Sequence, residues 1–179
     1  TVIGEVKCSH ILFNDIEAHG GRAIMWKAGH SLIKAKLKEE DGALGGEMSG
    51  HMFFKHRFFG FDDAIYAGCR LLELLSRSDR RLSDMKAEIP TTYNTPEIRI
   101  ESSDENKFEI VKKASEHFKS QGYKTIDVDG VRLVFPDGWG LVRASNTQPM
   151  LVMRFEAESE ERLHEIRGLV EKKVNELNK

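Results

Sequence analysis

The stretch Thr1–Glu40 constrains the fold most, because its apolar pattern switches period from strand to helix and back. Thr1–Val6 (TVIGEV) is β-branched and apolar, which suits a strand. Ser9–His19 then places Ile11, Leu12, Ile16 and Ala18 at helical spacing and stops at Gly20-Gly21. Arg22–Trp26 (RAIMW) reads as a second strand and Lys27-Ala28-Gly29-His30 as a turn, with Ser31 as N-cap of a helix over Leu32–Glu40. Strand, helix, strand, helix is the signature of a parallel α/β layer, whose neighbouring strands need a long crossover between them. Ligands of such layers gather beyond the carboxyl ends of the strands, and Lys7, Lys27 and His30 fall there.

The pattern changes after Ser76. Residues Ser76–Thr95 become charged and then carry Pro90, two threonines and Asn94, with Pro96 just beyond; these are breaker and turn residues. A domain boundary is expected there, giving domains 1–90 and 91–179. The second half predicts a strand over Glu97–Glu101, a helix over Glu105–Gln121, and strands near Lys124–Val128, Arg132–Phe135, Leu141–Ala144 and Met150–Glu156. A terminal helix follows over Ser159–Leu177, capped by Ser159 with Glu160 and Glu161 in its first turn. Strands joined by short glycine turns point to an antiparallel sheet. The expected fold class is therefore α/β followed by a small α+β domain with flanking helices.

Composition narrows the function. The chain has 179 residues, 40% of them hydrophobic, with no apolar run near membrane-spanning length and no signal pattern at its start. Lysine and arginine number 27 against 29 acidic residues, a balance that argues against a general nucleic-acid binder. Cys8 and Cys69 are far apart and outside any ligand spacing, so they read as reduced thiols of a cytoplasmic protein.

The densest chemistry lies between Gly42 and Asp63 (GALGGEMSGHMFFKHRFFGFDD). Glycines at this density let the backbone turn tightly and approach a ligand. Within five residues the stretch offers a carboxylate (Glu47), a hydroxyl (Ser49) and an imidazole (His51). A carboxylate can accept from two adjacent hydroxyls of a sugar, and a histidine can meet a phosphate or move a proton. The same residues would also serve as an ordinary polar connector. Phe53, Phe54, Phe58, Phe59 and Phe61 read as core, leaving only Lys55 or Arg57 to face a site. Asp62 and Asp63 read as cap and first turn of a helix whose apolar face is Ile65, Cys69, Leu72 and Leu75, widened by Leu71 and Leu74.

A second polar loop, Arg143-Ala144-Ser145-Asn146-Thr147-Gln148-Pro149, joins two apolar strands. Its guanidinium matches phosphate oxygens two at a time, and its hydroxyls and amides can fill the remaining acceptors. An exposed hairpin loop would be polar as well.

Taken together, GEMSGHMFFKHRFFGFDD and RASNTQP, in this order and at this interval, resemble the sugar-binding and phosphate-binding loops of the α-D-phosphohexomutases, and particularly of the bacterial phosphomannomutase/phosphoglucomutase branch. The resemblance covers nearly the whole chain. It implies a third, three-layer domain over residues 1–90, clipped at its start, and a fourth domain over 91–179. Such enzymes interconvert hexose 1-phosphate and hexose 6-phosphate of glucose or mannose through an enzyme phosphoserine and a bisphosphate intermediate, beside a magnesium ion. By motif, Glu47 and Ser49 would take the sugar hydroxyls. Arg143, Ser145, Asn146, Thr147 and Gln148 would take the phosphate, with Lys7, His30 and His51 as catalytic residues. Lys7 and His51 are the expected proton carriers. Ala28, His56 and Gln148 depart from the usual family residues, which bears on sugar preference more than on reaction class.

The implied phosphoserine and magnesium loop would lie upstream, so the chain is expected to be an inactive fragment that depends on its missing N-terminal domains, with no metal site of its own. Asp127-Val128-Asp129-Gly130 resembles the family's magnesium loop, but Val131 stands where a carboxylate is needed and the flanks read as a hairpin. Ser9-His10 is a weaker likeness to the phosphoserine neighbourhood. Two other classes stay open: a non-catalytic sugar-phosphate-binding module, and nucleic-acid binding through Phe53–Phe61, which the charge balance disfavours.

Overall fold

The computed structural model describes residues 1–179, in two compact units, Thr1–Pro90 and Thr91–Lys179. The first unit runs β1 (Val2–Glu5), α1 (His10–Ala18), β2 (Ala23–Trp26), α2 (His30–Glu39), β3 (Leu44–Gly46), β4 (Met52–Phe54), α3 (Ala64–Ser76) and α4 (Leu82–Ala87). Its sheet has the order β2-β1-β3-β4, with β1 parallel to β2 and β3, and β4 antiparallel to β3. The parallel layer predicted from the opening residues is present, and the antiparallel strand β4 lies inside the glycine-rich stretch.

Successive strand residues point to opposite faces. Ile3 packs with Ile33 and Leu37 of α2 and with Phe53. A Cβ on neighbouring Gly4 would instead stand 2.9 Å from the Phe13 ring of α1. Helices α1 and α2 therefore cover opposite faces of β1, and the connections part between β1 and β3. An open α/β sheet forms its ligand crevice at such a point.

Local chemistry explains the helix starts. Ser9 caps α1, its Oγ accepting the Ile11 N–H at 3.1 Å, and that structural role accounts for the Ser9-His10 motif. Helix α2 begins at His30 with Gly29 as its N-cap, so Ser31 lies inside the first turn and does not cap. Gly29 has φ +131°, which a side chain would resist, and the helix starts two residues earlier than serine propensity suggests.

Helix α3 departs furthest from the sequence pattern. Asp63 caps it, accepting the Tyr66 N–H at 2.8 Å. Yet α3 has no buried residue: Ile65 is 83%, Leu72 66% and Leu74 63% exposed. Its inward side carries Tyr66 stacked on Phe58, Arg70 over the Phe54 ring and Glu73 paired with Arg57. Polar and aromatic anchors thus set its rotation, and the apolar stripe faces outward. Phe59 and Phe61 are also exposed, whereas Phe53 is buried as the core reading requires.

The second unit runs β5 (Tyr93–Asn94), β6 (Ile98–Glu101), α5 (Lys107–Ser120), β7 (Lys124–Ile126), β8 (Val131–Phe135), β9 (Gly138–Ala144), β10 (Met150–Ala157) and α6 (Glu160–Leu177). Strand β10 pairs antiparallel with β9 on one side and with β5 and β6 on the other, and the ladder continues through β8 to β7. Ile110, Ala114 and Phe118 of α5 and Ile166, Val170 and Val174 of α6 pack on Leu133, Val142, Leu151 and Phe155 of the sheet. Arg132 stands 3.7 Å from the Trp139 ring, and the Trp139 indole N–H donates to Glu156 Oε1 at 2.9 Å. Sequence pattern and structure agree closely here, except that β5, like α4 of the first unit, falls in the charged, breaker-rich segment, where no periodicity marks it. No helix of either unit is long and apolar enough to cross a membrane.

Candidate functional site

In the first unit the carboxyl ends of β1 and β3 are joined by one buried acid. Glu5 ends β1 with no exposure, and its Oε2 accepts the Lys7 N–H at 2.7 Å while Oε1 accepts the Met48 N–H at 3.1 Å. Burial pushes the Glu5 carboxyl up, opposed by the Lys7 and Met48 N–H groups and the Lys7 charge. Glu5 was not among the predicted site residues. Its one sequence signal is a carboxylate at the end of an otherwise apolar strand.

The loop between β3 and β4 is closed by Glu47 N–H to His51 O at 3.0 Å and Gly50 N–H to Glu47 O at 2.9 Å, with Gly50 at φ +94°. Glu47 Oε1 accepts the Gly29 N–H at 2.6 Å, which ties this loop to the turn before α2. His51 Nδ1 lies 2.7 Å from Asp62 Oδ2, and Asp62 Oδ1 accepts the Met52 N–H at 3.2 Å. His30 Nε2 stands 3.5 Å from the same Asp62 oxygen, and the two imidazoles meet edge to face with centroids 4.3 Å apart. The structure thus gathers His30, Glu47 and His51, with Lys7 leaving the end of β1 and Ser49 exposed in the loop. Lys55 and Arg57 are turned to Asp41 and Glu73 and add nothing to the cluster.

Asp62 is the correction here, because it binds histidine instead of serving the helix start. Burial would raise its carboxyl, but the His51 and Met52 hydrogen bonds and the histidine charges outweigh that and hold it below the usual range. A depressed carboxyl stabilises the fold above its ordinary range, and that contribution is lost as pH falls through the lowered value. Asp62→Asn is therefore expected to flatten the acid limb of first-unit stability, read by urea unfolding at a series of acidic pH values. An unchanged limb would refute this role.

In the second unit the predicted phosphate residues lie on β9 and the hairpin loop after it. Arg143 is 7% exposed, and its Nε donates to Asp129 Oδ2 at 3.0 Å. One edge of the fork is thereby committed to a carboxylate, in place of the free fork the sequence suggests. Ser145 Oγ accepts the Gln148 N–H at 3.2 Å, so this hydroxyl shapes the loop. Asn146, Thr147 and Gln148 are exposed. Lys107, 4% exposed, supports the loop from beneath, its Nζ donating to Gln148 O at 3.0 Å and to Asp104 Oδ1 at 2.6 Å. Its signal was a lysine opening a helix, where the dipole disfavours a cation. The Asp127–Gly130 segment is the β7–β8 hairpin turn, with Asp127 paired to Lys119 and Asp129 to Arg143. A cavity of about 490 Å³ near Ser102, Asn106 and Asn178 contains none of these loop residues.

The chain is thus an α/β unit with polar groups gathered at its sheet's switch point, followed by an antiparallel α+β unit with a polar hairpin loop. Residues 1–93 match the family described as phosphoglucomutase/phosphomannomutase, alpha/beta/alpha domain III, and residues 97–173 match its C-terminal domain. The chain belongs to the phosphoglucomutase/phosphomannomutase family. It is 49% identical over 168 residues to a phosphomannomutase/phosphoglucomutase of Pseudomonas syringae, and 45% identical over 169 residues to a phosphoglucomutase of Neisseria gonorrhoeae. These alignments cover 94% and 93% of the chain but 36% of each relative, so the chain spans about a third of their length. A crystal structure of a family protein from Burkholderia thailandensis superposes with a TM-score of 0.88 at 40% identity, over 98% of this chain and 37% of that one.

Proposed function

We propose that the chain is the sugar- and phosphate-recognising C-terminal part of a mutase that interconverts hexose 1-phosphate and hexose 6-phosphate of glucose or mannose. The observation that carries this is Glu47, a carboxylate pinned by the Gly29 N–H at 2.6 Å beside two imidazoles, at the sheet's switch point. Its second oxygen suits a sugar hydroxyl, with Ser49 beside it. Lys7, His30 and His51 are placed by elements that converge on this crevice. They serve charge neutralisation and proton transfer at a phosphoryl group. In the second unit, the free edge of Arg143, the Ser145 and Thr147 hydroxyls, and the Asn146 and Gln148 amides supply donors for a phosphate.

Phosphoryl transfer through a phosphoserine and a bisphosphate intermediate belongs, in this reading, to the part of the relatives' length that this chain does not span. So does magnesium, as the family resemblance implies. The Asp127–Asp129 turn does not fit that ion, because both carboxylates are engaged by basic side chains. A titration with glucose 1-phosphate and mannose 1-phosphate, followed by NMR, is expected to show saturable shifts at residues 47–51 and 143–148, with no mutase turnover. Glu47→Ala should abolish the first set of shifts and Arg143→Ala the second. Turnover by this chain alone, or shifts indifferent to both substitutions, would overturn the proposal.

A further inference from the structure

His30 opens α2, and Glu47 and His51 close the loop between β3 and β4. Each offers one ligand atom, and these atoms lie within 4.8 Å of one another. We propose that they form a binding site for a zinc-class divalent ion, with a fourth position open to water or an exogenous ligand. The sequence weighed only hard oxygen ligands suited to magnesium, so this mixed set was not visible as a constellation.

Ligand chemistry sets the class of ion. Two imidazoles and one carboxylate match zinc and its borderline neighbours, whereas magnesium demands oxygen donors in octahedral array. The surroundings are those that orient metal ligands. His51 Nδ1 is held by Asp62 at 2.7 Å, which leaves Nε2 as its donor to a metal, and Asp62 is itself fixed by the Met52 N–H. Glu47 Oε1 is held by the Gly29 N–H at 2.6 Å, which leaves the other oxygen available. Tetrahedral bonds of about 2.0–2.1 Å place ligand atoms about 3.4 Å apart, so closure needs an inward shift on the order of 1 Å. The imidazoles can supply it, since the side chains of His30 and His51 are 44% and 43% exposed. The site stands on this geometry and does not rest on the sugar reading.

Cobalt(II) is the probe, because four-coordinate Co²⁺ absorbs strongly in the visible range and hexa-aqua Co²⁺ does not. The full chain is expected to bind one equivalent with four-coordinate intensity, displaced by one equivalent of Zn²⁺ and unaffected by excess Mg²⁺. Cys69→Ser should leave the spectrum intact, which separates the site from the exposed thiol. His30→Gln should abolish the visible bands. Glu47→Gln, which keeps an acceptor for Gly29 and hence the loop, should weaken cobalt binding at least tenfold. Bands that survive in both variants, or that never exceed octahedral intensity, would overturn the proposal.

Discussion

Gly130→Ala is expected to cost the second unit about 3 kcal/mol or more, through backbone strain of about 1–3 kcal/mol and overpacking of similar size. Gly130 has φ +85°, and an added Cβ would lie 2.3 Å from the Val142 carbonyl oxygen and 2.7 Å from the Arg143 Cα. Those neighbours are backbone of β9, at the centre of the ladder, and cannot rotate aside. For a unit of this size such a loss lowers Tm by more than about 10 °C. Circular dichroism of the thermal transition reads it directly, and a loss of a few degrees would refute the argument. The substitution also presses on Arg143 beside the Asp129 pair. Phosphate-loop shifts should therefore change even at temperatures where the unit stays folded.

Glu5→Ala is expected to destabilise the first unit by about 2 kcal/mol or more, since two part-buried N–H groups lose their acceptor, each at a cost of about 1–3 kcal/mol when fully buried. The groups are those of Lys7 and Met48, so the damage falls where β1 is tied to the loop that carries Glu47. The pH dependence has a definite sign. Burial raises the Glu5 carboxyl in the folded state, so the proton is held more tightly there than in the unfolded chain. The stabilisation linked to that proton is fully present below the ordinary carboxylate range and is lost as pH rises through the raised value. The stability gap between parent and Glu5→Ala should therefore narrow as pH increases, measured by urea unfolding across the weakly acidic range. A gap that widens with pH would show Glu5 to be stabilised as the anion.

Much of this was legible in the amino-acid sequence, for identifiable reasons. The strands and helices of the second unit were visible because their apolar faces are buried: Leu133, Val142, Leu151 and Phe155 sit where alternation and short turns predict a core. Glu47 and His51 were visible because glycines crowd around them, and the structure does bring them together with His30. What was hidden is what depends on partners distant in sequence. Glu5 reaches Met48 across 43 positions, Arg143 meets Asp129 across 14, and Lys107 holds Gln148 across 41. Asp62 was misassigned for a related reason: an acid just before a helix suits the dipole, and nothing local shows that its oxygen faces histidine. The rotation of α3 misled in the opposite way, because a strong apolar stripe normally marks the buried side.

That inverted helix has a thermodynamic consequence. The free energy of opening a segment grows with the apolar area it newly exposes. Helix α3 already presents Ile65, Leu72 and Leu74 to solvent and buries no residue, so releasing it exposes little more. Its attachment is a capping aspartate, Tyr66 against Phe58 and Phe54, Arg70 over the Phe54 ring, side-chain hydrogen bonds to Arg57 O and His56 O, and ion pairs of Glu73. The exposed ion pairs among them are replaced by solvent at low cost. Within this unit α3 is accordingly the segment expected to open most readily, ahead of the centre built on β1, β3 and α2.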